Sequence, residues 1–510
     1  MPPWKSPGSL ASLSSTSLIT SLAVRIRGAD TDSKIFSDIQ SVLSSLPIPL
    51  LEDVIEGLTI ILIGKDKQTK SFFNAFKCFP LRNLTKLNFS RLFHGFRLSR
   101  TQNTEFKEFC VNVFKNTHYL RQLVLIAKCT NEILTQLGDS CKHLWELNIG
   151  LSDDISDEGL LGLLPTPTDT RCSNLRILDI TKCWNISPKG AASVITKLPK
   201  LQRLCYSSMR AMAEEISRNQ ETEEVGGSYE LDYFECTEQN YVQLNYKTMP
   251  AVTYPRIGFS EVFQMFPKIL TIKVLVSDPE VQQLTCFTGL RHVEFELVDD
   301  PGVGFKSFFQ DPCTRNLNQI VLQVICTPAS YLQIIAENCQ QLTVFKFTGT
   351  TIEGEETLCA SKNYFQNLAH LEFKLFGSSE MYISSEEEDE EEEEDGGEGG
   401  GPKIKPEILF FFLQFSTQLV QISLYVNCSR FISSAFLEKL FQENTLVNCQ
   451  KFFLSGPSSL PLDRDTVDLV LSTLPSLRSI HISRWEGITE RILADYKKSS
   501  KLDNLDIEFF

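Results

Sequence analysis

The chain has 510 residues, of which 42% are hydrophobic, enough to bury a core along most of its length and to exclude global disorder. Its net charge of −15 argues against a general nucleic-acid binder. No stretch reaches the ~18 consecutive apolar residues of a membrane-crossing helix, so no membrane partner is expected.

Residues 1–35 read as a flexible tail. The first 29 hold no acid and carry Lys5, Arg25, Arg27 and many serines. That composition also resembles a mitochondrial presequence.

Residues 36–80 follow as a helical segment. Leu46, Leu50, Leu51, Val54, Ile55 and Leu58 would line one helical face, with Pro47 near its start. Such a face either covers the open end of a repeat array or enters a partner's groove. Gly57 sits inside this helix at some cost.

From residue 84 one phrase recurs: apolar, two variable residues, apolar, one variable, apolar. It runs as Leu84/Leu87/Phe89, Leu120/Leu123/Leu125, Leu144/Leu147/Ile149, Leu175/Leu178/Ile180 and, less completely, Leu201/Leu204. It resumes from Ile269/Ile272/Val274 to Leu368/Leu371/Phe373, and again from Leu419/Ile422/Leu424 to Leu502/Leu505/Ile507. The middle and last apolar residues are two apart and share one side of a short strand. Stretches of helical period separate the phrases, as in Ile133, Leu134, Leu137 and Cys141. Each unit is one strand and one helix, too small to bury its own face, so units must stack. The expected fold is α/β: a leucine-rich-repeat solenoid, a horseshoe with a parallel concave sheet, convex helices and a helical N-terminal cap.

The arrays fall at 81–205, 261–380 and 406–510. Residues 206–260 interrupt them as an irregular insertion or degenerate repeats. Residues 381–405 read as a disordered acidic loop, because Glu386 to Asp395 is ten acids in a row. Ser384 and Ser385 precede the acids and suit an acid-directed kinase. The strip 386–395 could dock a basic protein, or serve only as a solvated spacer.

On the best repeats Gln122, Val124, Glu146, Asn148, Ile177, Asp179 and Arg203 point away from the core. Their mixed character suits a protein partner on the concave face better than a phosphate backbone.

The fifteen cysteines are odd in number and lack CxxC pairing. That fits reduced, packed thiols and a cytoplasmic or nuclear setting. The six histidines are far apart, and no Cys/His group has zinc-ligand spacing, so no metal site is expected. No phosphate loop, nucleophile elbow or metalloprotease motif is present, so neither an enzyme nor a cofactor is expected.

Cys141, Cys172 and Cys339 each sit three residues before the first apolar residue of a phrase. Cys129 and Cys183 sit shortly after a strand, and Ile155-Ser156-Asp157-Glu158-Gly159-Leu160 opens a helix. This pattern resembles the cysteine-containing repeats of F-box leucine-rich-repeat proteins, most closely over 80–200. Asp157 would suit the first turn of its helix. The resemblance implies an adaptor-binding box at Leu46, Pro47, Leu50, Leu51, Val54, Ile55 and Leu58. The implied activity is that of a substrate receptor of a cullin-RING ubiquitin ligase. The box is degenerate, since Phe72 to Phe79 lacks the family's tryptophan. The alternative is an adaptor-free interaction scaffold.

Overall fold

The computed structural model describes residues 17–25, 34–64, 76, 79–90, 100–222, 229–236, 257–297, 300–353, 364–375, 406–426, 434–444, 446–455, 464–483 and 506–508. The chain forms two compact units. One comprises Met1–Cys236, Leu244–Ile257 and Gln264–Lys268; the other comprises Thr237–Gln243, Gly258–Phe263 and Ile269–Phe510.

In the first unit, parallel strands run in chain order: β1 (Lys86–Asn88), β2 (Gln122–Val124), β3 (Glu146–Asn148), β4 (Ile177–Asp179), β5 (Arg203–Cys205) and β6 (Tyr233–Cys236). Leu87, Leu123, Leu147, Leu178 and Leu204 stand in register and are buried. Helices α4 (Arg100–Phe114), α5 (Asn131–Ser140), α6 (Asp157–Leu163) and α7 (Pro188–Lys197) alternate with the strands, and α8 (Met209–Thr222) follows β5. The unit is a leucine-rich-repeat solenoid. β6 lies in the interruption, where Leu231 and Phe234 are buried like the phrase residues.

The second unit repeats the scheme with strands that are longer in all but the last: β7 (Thr271–Val276), β8 (His292–Leu297), β9 (Gln319–Pro328), β10 (Val344–Glu353), β11 (His370–Leu375), β12 (Gln421–Val426), β13 (Lys451–Ser455), β14 (Ser479–Ser483) and β15 (Asp506–Glu508). Each pairs in parallel with the next. Phenylalanine takes over the core. Phe345, Phe373 and Phe412 have ring centroids 4.9 to 6.0 Å apart, and Phe295 meets Phe308 edge-on at 5.4 Å. Edge-on and offset contacts at this distance add to area burial.

A repeated hydrogen bond sets the stacking. The residue before most strands offers its carbonyl to two successive N–H groups of the next repeat. Thr85 O accepts from Arg121 N and Gln122 N, Arg121 O from Trp145 N and Glu146 N, and Trp145 O from Arg176 N and Ile177 N. The same fork recurs in the second unit from Leu270 O to Gln450 O.

The first strand has no preceding repeat to supply that carbonyl. Helices α2 (Lys34–Ser45) and α3 (Ile48–Gly64) stand there instead. Glu52 Oε1 accepts from Thr85 N at 2.7 Å, Lys86 N at 2.9 Å and Thr85 Oγ1 at 2.8 Å. One turn on, Glu56 accepts from Asn88 Nδ2 at 3.1 Å. An uncovered first strand would leave these N–H groups open to pairing with another chain.

One correction concerns the tail. Residues 17–25 form a helix, α1, with Ile19, Leu22 and Ala23 buried. These residues share one face at i, i+3 and i+4, a pattern that Thr20 and Ser21 between them obscure. Ile19 packs where a side chain on Gly57 would stand, 2.4 Å from an added Cβ. That close approach explains a glycine inside α3.

The convex edge has its own ladder. Asn131 Oδ1 accepts from Ser156 N at 2.9 Å, and Asp157 Oδ1 accepts from Ser187 N at 2.8 Å. In the second unit Asp278 takes Gly302 N, Gly304 N and Phe305 N at 2.7 to 2.8 Å. Each such side chain serves the unpaired N–H groups at the start of the next repeat's helix. Asp157 therefore reaches beyond its own helix, and an added Cβ on Gly190 would lie 2.0 Å from its Oδ1. This accounts for the glycine three residues after Ser187.

Candidate protein-binding surface

The outward strand positions of the first unit stand in two neighbouring columns. Gln122, Glu146, Ile177 and Arg203 are in register in one; Val124, Asn148, Asp179 and Cys205 form the other. All seven predicted face residues thus lie on one side of one sheet. Six are half-buried and Arg203 is exposed.

Several are tied to each other. Gln122 Nε2 donates to Glu146 Oε2 at 2.7 Å, and Asn148 Nδ2 to Asp179 Oδ2 at 2.9 Å. Asn148 Oδ1 also accepts from Gly150 N, and Asp179 Oδ1 from Thr181 N, which turns the chain out of each strand. Asn148 and Asp179 therefore hold the sheet's rim, while Arg203 is the most exposed of the seven. Arg203 is 3.7 Å from Asp232 and lies over the Tyr233 ring at 5.3 Å.

The second unit carries a comparable face that the sequence reading left unassigned. Lys273 pairs with Glu294 at 3.1 Å, and Glu372 pairs with Lys346 at 3.2 Å and Lys374 at 2.6 Å. Burial alone would raise the Glu372 carboxyl, but the two lysines outweigh it and hold it below its usual value. Burial pushes Glu296 on β8 up instead. Further along, Lys374 Nζ stands over Tyr425 at 5.2 Å, and Phe453 stacks on His481 at 4.2 Å. The signal was present: these residues occupy the variable place between the last two apolar residues of each phrase, or the place just after them.

Of the predicted adaptor residues, Leu51, Val54, Ile55 and Leu58 are at most 2% exposed. Leu46 and Leu50 are half-buried and Pro47 is exposed. Leu46 and Pro47 lie in the link between α2 and α3. Beside them Val42 and Ile48 are 45% and 38% exposed. Glu52 and Glu56 point α3 at the first strand, so its apolar side is used within the fold.

The cysteines at helix ends are packing residues. Cys141 caps α5, and its Sγ lies 3.5 Å from Thr117 O. Cys172 Sγ lies 3.6 Å from Cys141 O and 3.8 Å from Leu137 O, so each thiol meets carbonyls of the preceding repeat. Burial pushes Cys141 and Cys183 up to about 11. Cys172 and Cys339 are raised further by the same cause. Among the described residues, no cluster of His, Cys, Asp or Glu could hold a metal ion, and no helix is long and apolar enough to cross a membrane. Ser384, Ser385 and the strip 386–395 lie outside the described residues.

No known family matches the chain, and no curated protein does. Among solved structures it is similar to the Rad7 and Elc1 complex of yeast, with 10% identity over 99% of this chain and 98% of that one, and a TM-score of 0.45. It is also similar to the leucine-rich-repeat-containing protein LegL7 of Legionella pneumophila, with 10% identity over 78% and 96% and a TM-score of 0.30. The Toll–Spatzle complex of Drosophila follows at 10% identity over 74% and 45%, with a TM-score of 0.28. The repeat assignment itself rests on this chain's own strand register.

Proposed function

We propose that the chain is a non-enzymatic protein-binding solenoid that serves as a substrate receptor of a cullin-RING ubiquitin ligase. The observation that carries protein binding is the pair of in-register columns led by Gln122 and Val124. They offer polar, charged and apolar groups at strand spacing, with the backbone beneath them already paired. Partner recognition there falls to side chains, which suits a folded protein surface. Such a protein does no chemistry; it raises the concentration of substrate near the ligase.

The adaptor reading is supported by the resemblance of residues 46–58 to an adaptor-binding box. It narrows to the surface that the cap leaves free, namely Leu46, Pro47 and Leu50 with Val42 and Ile48. A second reading, the adaptor-free scaffold with a basic partner at 386–395, is favoured by the burial of Leu51, Val54, Ile55 and Leu58. The test is co-purification of the full chain with the F-box adaptor and with other cullin adaptors, beside a Leu46→Asp/Leu50→Asp variant. Capture by the wild type that the variant loses while staying folded supports the receptor. A folded wild type that captures none of the adaptors leaves the scaffold reading.

A further inference from the structure

The second unit has a groove of about 1020 Å³ that belongs to neither strand face. It crosses the residues that lead into four successive strands: Asn318, Thr343, Ala369 and Val420. Its size is at the upper end for ligand pockets, which suits a chain segment more than a single small molecule.

Its chemistry is unusual. No lysine or arginine lines it, and its one acid, Glu443, already accepts from Gln414 Nε2 at 3.4 Å. Side-chain amides dominate the rest. Four of the seven are engaged: Gln414 with Glu443, Asn367 Nδ2 donating to Gln340 O, Asn444 Nδ2 donating to Leu413 O, and Gln366, which also has a partner. The side chains of Asn318, Gln341 and Gln418 carry no hydrogen bond among the described residues, and Gln341 and Gln418 are exposed. The strand-entry carbonyls beneath them are used up, since Asn318 O accepts from Thr343 N, Val344 N and Thr343 Oγ1. Phe415 adds an apolar wall.

The geometry points to a binding site in this groove for the main chain of an extended, uncharged polypeptide segment. A side-chain amide offers donors and an acceptor, and so complements a peptide unit, which has one of each. Strands about 4.8 Å apart place the free amides along roughly 15 Å of rim. An extended chain covers that length with roughly four or five residues. The absence of cationic lining residues disfavours phosphate-bearing ligands, which need charge to offset their own. The site is separate from the cap and from the strand columns, so the adaptor experiment leaves it standing either way.

The test is selection of a dodecapeptide library on the full chain, followed by fluorescence anisotropy with the selected peptides. Expected are peptides with an uncharged core whose affinity falls at least about tenfold in Gln341→Ala/Gln418→Ala. The same peptides should keep their affinity for a Lys189→Ala control, at an exposed position on α7, and lose it when their own backbone amides are N-methylated. Gln341 and Gln418 are exposed, and an unchanged melting temperature verifies the fold of the variant. Selected peptides indifferent to the double substitution, or indifferent to N-methylation, would overturn the proposal. So would a selection that yields no peptide while maltoheptaose binds in the groove.

Discussion

Glu52 Oε1 accepts the backbone N–H groups of both Thr85 and Lys86, at 2.7 and 2.9 Å. In every later repeat of the first array that pair of N–H groups, or its counterpart, goes to a carbonyl of the repeat before. A side chain thus imitates the missing repeat. Glu52→Ala would leave two strand-edge donors unserved, and charged hydrogen bonds of this kind are worth ~1.5–3 kcal/mol. Hydrogen exchange at Thr85 and Lys86 should quicken, with little change at Gln122 and beyond. Glu52→Gln keeps an acceptor oxygen and should show a smaller effect. Equal exchange at Thr85 in wild type and Glu52→Ala would refute the capping role.

The convex ladder makes a coupled prediction. Gly190→Ala would drive a Cβ to 2.0 Å from Asp157 Oδ1, which also serves Ser187 N. The substitution should destabilise by about 2 kcal/mol, in the range of steric and network losses. Asp157→Ala removes both the clash and the two hydrogen bonds that Asp157 accepts from Ser187. The double variant should therefore cost less than the two single variants added together. Denaturant unfolding of the four proteins reads the coupling, and strict additivity would deny the contact.

Much of this architecture was legible in the sequence. The apolar phrase predicted strands because burial on one side of a two-residue period is a local property. Leu231/Phe234/Cys236 fits the same phrase and forms β6, inside the segment 206–260 expected to hold an irregular insertion or degenerate repeats. The seven outward positions share one side of the sheet for the same local reason. Glu52 was not, because its role depends on the lack of a neighbour, which no window of sequence displays. The adaptor residues divide similarly. Spacing put Leu46 to Leu58 on one helical face, but only packing tells which end that face is turned toward.

The buried thiols set an alkaline limit. Cys141, Cys183 and Cys286 are pushed up to about 11, and Cys449 to about 12, chiefly by burial. An unfolded thiol ionises near pH ~8.5. Above that pH the unfolded chain sheds protons that the folded chain keeps, so stability is full below pH ~8.5 and falls as pH rises toward 11. At pH 8 a thiol of pKa about 11 is ionised on the order of one part in a thousand, so a thiol-disulfide reagent should leave these cysteines unmodified until the protein is denatured. Rapid labelling of Cys141 in the folded protein at pH 8 would contradict the packing role.

The N-terminal helices separate fold from binding in one comparison. Val54 is fully buried, and a charge placed there has no partner. Val54→Asp should cost about 3 kcal/mol or more and release the cap from β1. Loss of adaptor binding in that variant would therefore say nothing about contact. Leu50 is half-buried, and Leu50→Asp should cost far less because its carboxylate can reach water. Exchange at Thr85 then reports whether Glu52 still holds the strand. A Leu50→Asp protein with a slow Thr85 amide and no adaptor would place the contact on the outer surface of the cap. The same protein with full adaptor binding would move the contact elsewhere.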